Sequence, residues 1–299
     1  MRHLARGGRQ ALVYHYERLR AHVPREPLAL DGFESFEYSQ FFPFHLNLAA
    51  GRQSWFLYAF TESPLRRKGR MTAAQKRRRA ELEQKLGRPD PKAVETGMAT
   101  LLELVFRAVA AERRSLPSAS SAVFPPCPTV RLRGPDPTGP HRQIHTDDHP
   151  AYRRAIQRYA RETSHRLRHI VTPGAAPRTT NNPLFAVNLA DLLLRHSHAS
   201  HRRETIAFCK RRQSAIERAA LFLLWRNDVK PRKEKEAGIT AAMFAGVASA
   251  PLAWNEFVLA RRFPRRSDLP GPTWSFYWAR IKTAIFGARQ RTHRLRYAF

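Results

Sequence analysis

The sequence is poor in cysteine: Cys127 and Cys209 are the only two in 299 residues. Two thiols that far apart build neither a zinc ribbon nor a disulfide framework, and the default compartment for such a chain is reducing. Long apolar runs are also missing. The longest uncharged stretch, Ala237 to Asn255, is rich in alanine and glycine and contains Pro251, which makes it a poor membrane span. The opening MRHLARGGRQ has charge but no apolar segment behind it, so it does not read as a secretory signal. These scarcities predict a soluble, cytoplasmic protein with no membrane partner.

Acidic residues are the third scarcity. Aspartate and glutamate number 24 against 53 lysines and arginines, a formal net charge of +29 with a pI near 11.4. A disordered basic tail is excluded, because 42% of the residues are hydrophobic and 10% aromatic, enough for a core. An enzyme of small acidic metabolites is disfavoured, since one pocket does not need so much positive charge. A surplus spread along the chain fits a polyanion, and nucleic acid is the leading partner.

The pattern of residues predicts a mixed α/β chain. Residues 1–24 read as a short basic helical lead-in. Pro27–Asp31, Phe41–Ala49 and Ser54–Thr61 read as three short strands in an antiparallel meander. Residues 66–88 carry ten basic side chains against Glu81 and Glu83; Thr72–Leu86 is helical with Thr72 as N-cap, and few apolar positions make it a solvated or DNA-facing helix. Pro91–Ala111 is an amphipathic helix. After an irregular Ser/Pro/Gly-rich connection at 115–141 come a strand at Arg142–Thr146, a helix at Ala151–Arg161 and a strand at Arg166–Val171. A polar loop follows at 172–182, then a helix from Pro183 to about His196 and another at Arg203–Asn227. The rest is basic and aromatic.

Three carboxylates stand out by position: Asp31 and Asp147 at strand ends, and Asp191 inside a leucine-lined helix, where a lone carboxylate is costly. The order strand–acid, meander, helix, strand–acid, helix, strand, helix–acid is that of an RNase H-like nuclease layout. Phosphodiester attack needs an activated oxygen and a stabilised leaving oxygen; two Mg²⁺ ions supply both, and a few carboxylates suffice to hold them. Each acid also has an ordinary structural reading. Asp31 precedes Gly32 in a common turn pair, Asp147 and Asp148 can cap the following helix, and Asp191 can pair with Arg195 four residues on. Asn188, one turn before Asp191, belongs to the same neighbourhood. Glu34 and Glu37 read as solvated residues or neighbours of the ligands.

The blocks LDGFESFEYSQ at 30–40, SPLRRKGRMT at 63–72, RRAELEQKLGRPDPKA at 78–93, TDDHPAY at 146–152, NNPLFAVNLADLLLRHS at 181–197 and HRRETIAFCKRRQ at 201–213 resemble a family of bacterial insertion-sequence transposases of the DDE/D group. The resemblance runs from about residue 25 to the C-terminus. It implies an RNase H-like catalytic domain, a mixed sheet flanked by helices, over residues 25–230. It also implies a basic helical insertion at about 62–90 and a basic C-terminal extension at 231–299. It implies a Mg²⁺- or Mn²⁺-dependent DNA strand-transfer enzyme whose metal ligands are Asp31, Asp147 and Asp191, with Glu204 as runner-up for the third. The implied partner is double-stranded DNA, as element ends and target, with a homo-oligomer on DNA and a nucleoid-associated location. The chain departs from the family pattern in lacking the N-terminal zinc ribbon, in His45 where an acid is usual, and in Asp228 where a tyrosine is usual. Two further functions stay open: an inactive or truncated remnant that only binds DNA, and an RNase H-type nuclease.

Arg66, Arg67, Lys68 and Arg70, after the third strand, and Arg202, Arg203, Lys210, Arg211 and Arg212, beyond the Asp191 helix, are the expected phosphate contacts. His196, His198 and His201 are read as further phosphate contacts in preference to a zinc site. Trp225 and Trp254 are expected in the core, and Trp274, Phe276, Tyr277 and Trp278 are expected to pack the tail against the domain or a second subunit.

Overall fold

The computed structural model describes residues 2–20, 22–107, 142–163, 165–201, 209, 211–260, 262, 269–281 and 283. Cys127, Arg202, Arg203, Glu204 and Lys210 lie outside the described residues. One five-stranded sheet organises the chain: β1 (Leu28–Phe36), β2 (Pro43–Gly51), β3 (Leu57–Pro64), β4 (Arg142–Thr146) and β5 (Leu167–Val171), in the order β3-β2-β1-β4-β5. The first three strands form the expected antiparallel meander, while β4 runs parallel to β1 and β5 parallel to β4.

Register assigns the faces. Asp31, Leu48 and Phe60 are cross-strand neighbours and share one face; Gly32, Asn47 and Thr61 share the other. The second face carries α3 (Ala93–Val105), because the Thr61 hydroxyl donates to the Gly97 carbonyl at 2.8 Å. Helix α4 (Pro150–Thr163) packs beside α3, where Arg154 reaches Glu95 at 2.7 Å. The first face carries α5 (Phe185–Ser197) over β1 and β2. It also carries α9 (Gly271–Tyr277), whose Phe276 stacks on Phe60 at 5.8 Å. The aromatic tail therefore packs on the domain.

Helix α1 (Arg2–Arg18) is a core element. Its Ala11, Leu12, Val13 and Tyr16 are buried in the same cluster as the sheet, and it lies against α6 (Arg212–Leu224). The crossing is close enough that a Cβ at Gly8 would stand 2.3 Å from the Glu217 carbonyl oxygen, so only glycine fits. His15 bonds the Tyr58 carbonyl at 2.8 Å and stacks on Phe56. Beyond α6 the chain makes a π-turn, Trp225–Val229, before α7 (Ala241–Phe244) and α8 (Trp254–Leu259). Asp228 is buried against Arg18, and burial raises its pKa to about 6 although Arg18 opposes the rise. From the same turn, Asn227 offers both halves of its amide to the backbone of Leu57, receiving its N–H at 2.8 Å and donating to its carbonyl at 2.9 Å.

Several expectations need correction. Strand β1 continues through the Asp-Gly pair to Phe36, so Asp31 sits within the strand. Helix α6 begins at Arg212, well after residue 203. Ala241, Ala242, Phe257, Leu269 and Phe276, from the expected C-terminal extension, belong to the common core. Trp254 is 44% exposed, while Trp225 is partly buried against Phe222. Among the described residues, no helix is long and apolar enough to cross a membrane.

Candidate active site

The sheet brings two of the expected acids level. Strands β1 and β4 pair in parallel at Leu28–Ile144 and Ala29–His145. Continuing that register two residues sets Asp31 beside Asp147, which follows the last residue of β4. The β1–β4 pairing ends two residues short of the carboxylates, which leaves a mouth between the two strands, while β1 runs on beside β2 to Phe36. Asp147 is fixed by its turn, since its Oδ1 accepts the His149 N–H at 3.0 Å. Asp148 is exposed.

Asp31 is mostly enclosed. Its Oδ1 accepts the Gly32 N–H at 2.7 Å and has the Tyr152 hydroxyl at 3.5 Å. Burial raises its pKa to about 6; the Gly32 N–H opposes the rise, the charges of Asp147 and Asp191 add to it, and Arg178 offsets part. All three expected carboxylates therefore share one electrostatic neighbourhood. Asp191 reaches it from α5, where it also pairs with Arg195 at 2.8 Å, and the Arg195 guanidinium lies over the Phe33 ring at 5.0 Å. The helical pair and the nearness to Asp31 coexist. Among the described residues, no three His, Cys, Asp or Glu side chains stand close enough to close around a metal ion. The donor chemistry suits a hard divalent cation: oxygen ligands only, with excess negative charge that burial makes costly.

Two neighbours escaped the sequence reading. Tyr152, on the first turn of α4, stands between Asp31 and His45, with its hydroxyl 3.5 Å from His45 Nε2. Burial and the charges of Asp31 and Asp147 push its pKa far above the usual phenol value, so it stays protonated. His45 Nδ1 bonds Asn47 Oδ1 at 2.8 Å, while the Asn47 amide nitrogen donates to Thr61 and Ser63. That leaves Asn47 Oδ1 to accept, puts the proton on Nδ1, and turns a lone pair at Nε2 toward Tyr152. Burial lowers the His45 pKa and keeps the ring neutral. Gly32 makes the arrangement possible, because a Cβ there would stand 2.6 Å from His45 Cε1 and 2.3 Å from the Leu46 carbonyl oxygen. The signal for Tyr152 lay in TDDHPAY, five residues after Asp147. Arg178, in the loop before α5, had no signal beyond its charge.

The expected phosphate contacts divide. Lys68, Arg70 and Arg211 are exposed. Arg66 holds Glu83 of α2 (Ala73–Leu86) through two bonds of 2.7 and 2.9 Å, and Arg67 bonds Gln40 and lies over Phe41. Arg212 is not available to DNA: it is buried, with its guanidinium 3.1 Å from Glu62, and its backbone N–H donates to Glu37 at 2.9 Å. Glu37 is accordingly a buried acceptor and not a solvated residue. His201 is fully buried with its ring edge-on to Phe33, which removes it from phosphate contact. Helix α2 has no buried residue, as its sequence predicts, and Thr72 and Gln75 close a capping box at its start.

An antiparallel meander extended by two parallel strands, with helices on both faces and acids at the mouth between β1 and β4, is an RNase H-like domain. Among solved structures, the chain is similar to the HTLV-2 integrase catalytic core domain in complex with magnesium, at 13% identity and TM-score 0.30, covering 76% of this chain and 98% of that one. It is also similar to the simian T-cell lymphotropic virus intasome in complex with the PP2A regulatory subunit B56 gamma, at 15% identity and TM-score 0.31, covering 78% of this chain and 62% of that one. Neither likeness is deep enough to carry function. No protein-family model and no curated protein matches the chain.

Proposed function

We propose that this protein is a divalent-metal-dependent DNA polynucleotidyl transferase of the transposase kind, cutting insertion-sequence ends and joining them to target DNA. One observation carries the reading: the charges of Asp147, just past the end of β4, and of Asp191, on α5, both disfavour the charge of Asp31 within β1. Asp31, Asp147 and Asp191 would hold Mg²⁺ or Mn²⁺. Such ions, when bound, activate an oxygen nucleophile and stabilise the departing 3′ oxygen.

The chain's own residues set the conditions. Asp31 must be ionised to serve as a ligand, and a pKa of about 6 makes that ionisation complete only above neutrality. Tyr152 remains protonated, and its single hydroxyl proton can go to either of two acceptors, Asp31 Oδ1 or His45 Nε2, each 3.5 Å away. Lys68, Arg70 and Arg211 would take phosphates and orient the DNA without reading its sequence.

Nicking of a supercoiled plasmid carrying a candidate element tests this, with Mg²⁺, Mn²⁺ or EDTA, for wild type, Asp31→Asn and Asp147→Asn. Metal-dependent nicking that both variants lose, with DNA binding retained, is the expected result. Nicking by Asp31→Asn at the wild-type rate overturns the assignment. The Asp191–Arg195 pair favours a second reading, a binding-only remnant; wild type that binds DNA in salt-dependent fashion without cutting would establish it. Preferential cutting of RNA–DNA hybrids would instead identify an RNase H-type nuclease.

A further inference from the structure

A large cavity opens near the acid site. It holds about 990 Å³ between the β1–β2 turn, the segment after β3, helix α2 and the start of α4. Six cations line it against the carboxylates Glu34 and Asp90: Lys68 and Arg88 are exposed, Arg67 bonds Gln40, Arg66 and Arg79 pair with Glu83, and Arg154 pairs with Glu95. Its inner end is formed by His45 and His149, and each touches the acid site: His45 faces Tyr152, and the His149 N–H bonds Asp147. The groove therefore shares two neighbours with the acid site, His45 and His149, and extends from them to α2.

Its size limits what it takes. A cavity near the upper end of small-ligand clefts has room for a few nucleotides of one strand and too little for a turn of duplex. Its walls supply what a single strand needs, a run of cations for the backbone with Phe36 and the imidazoles of His45 and His149 as ring surfaces. The far wall is fixed by a clamp, since Arg66 pairs with Glu83 at 2.7 Å and Arg79 donates to the Arg67 carbonyl at 3.0 Å, which ties the otherwise unburied α2 to the segment after β3.

We infer that this groove binds a short single-stranded DNA segment, the unpaired strand next to the scissile phosphate, so that the substrate of this site is a melted or overhanging end in preference to a continuous duplex. The inference rests on the proposed DNA function and narrows its substrate.

The test is fluorescence anisotropy with the full chain in EDTA, so that no cutting is involved. One probe is a blunt duplex; the other is the same duplex with a three-nucleotide single-stranded extension. The extension should tighten binding by about tenfold for wild type, in line with stacking and phosphate contacts on a few bases, and equally for Asp31→Asn. The double variant K68E/R88E, at two exposed groove positions, should lose that gain. R77E/K85E, an equal charge change on exposed α2 residues outside the groove, should keep it. Circular dichroism checks that each variant is folded. Equal affinity of wild type for the two probes, or equal loss of the gain in both double variants, overturns the inference. A tenfold gain in a protein that never cuts DNA supports the groove and refutes the catalytic reading, so the two fail separately.

Discussion

Replacing Asp31 by asparagine should make the protein more stable at alkaline pH while it stops cutting DNA. The folded-state pKa of Asp31 is about 6, against an ordinary 3.8. A raised carboxylate contributes stability that is fully present below the unfolded value and lost as pH rises through the folded one. The window is therefore pH 4 to 6. Roughly two pKa units at 1.36 kcal/mol each put the cost of the charged Asp31 at about 3 kcal/mol by pH 8. Asparagine carries no charge and keeps an oxygen for the Gly32 N–H. The variant should gain up to about 3 kcal/mol at pH 8, a shift of about 1 M in the urea midpoint, and less than about 1 kcal/mol near pH 4. Urea unfolding in EDTA at both pH values measures it. Adding Mg²⁺ at pH 8 should then stabilise wild type and leave Asp31→Asn unmoved. A variant less stable than wild type at pH 8, or a difference that does not change with pH, would refute the desolvated, negatively surrounded carboxylate on which the site depends.

Other perturbations follow from the same geometry. Arg212→Ala should cost about 3–5 kcal/mol in urea unfolding, because it strands Glu62 and Glu37 without their buried cation. Gly8→Val should prevent native folding, read as loss of a cooperative thermal transition, since α1 and α6 would have to separate. Lys68→Ala and Arg70→Ala should each lower the slope of log affinity for DNA against log salt by about 1, whereas Arg212→Gln, if folded, should leave the slope unchanged. His15 is buried and its pKa falls to about 4, so the stability it contributes is present above pH 6.5 and lost as pH falls toward 4, by about 3 kcal/mol. His15→Gln should flatten the decline of the urea midpoint across that interval.

Local chemistry was legible in the sequence where neighbours in the chain are neighbours in space. The meander and the solvated helix behind Thr72 follow from alternation, turn residues and caps within a few positions. What escaped depends on distant partners. Arg212 looks like one more cation in a basic run, and only the fold brings Glu37 and Glu62 to it. Helix α1 looks like a lead-in because its arginines conceal a stripe of Ala11, Leu12, Val13 and Tyr16 that α6 covers. Asp31-Gly32 reads as a turn that ends a strand, yet the missing side chain is a clearance cut into the middle of β1 for His45. Tyr152 was visible in its block, but nothing local says that its hydroxyl reaches across the sheet mouth.

The amide of Asn227 has a consequence for how copies of this chain can meet. Strand β3 is the last in its direction, and an outer strand is ordinarily a template on which another chain extends the sheet. At Leu57 that template is already read: a single side chain imitates the next strand, taking the N–H and giving to the carbonyl. A partner that docks by β-addition at this rim must first displace Asn227 and leave a buried amide without its bonds.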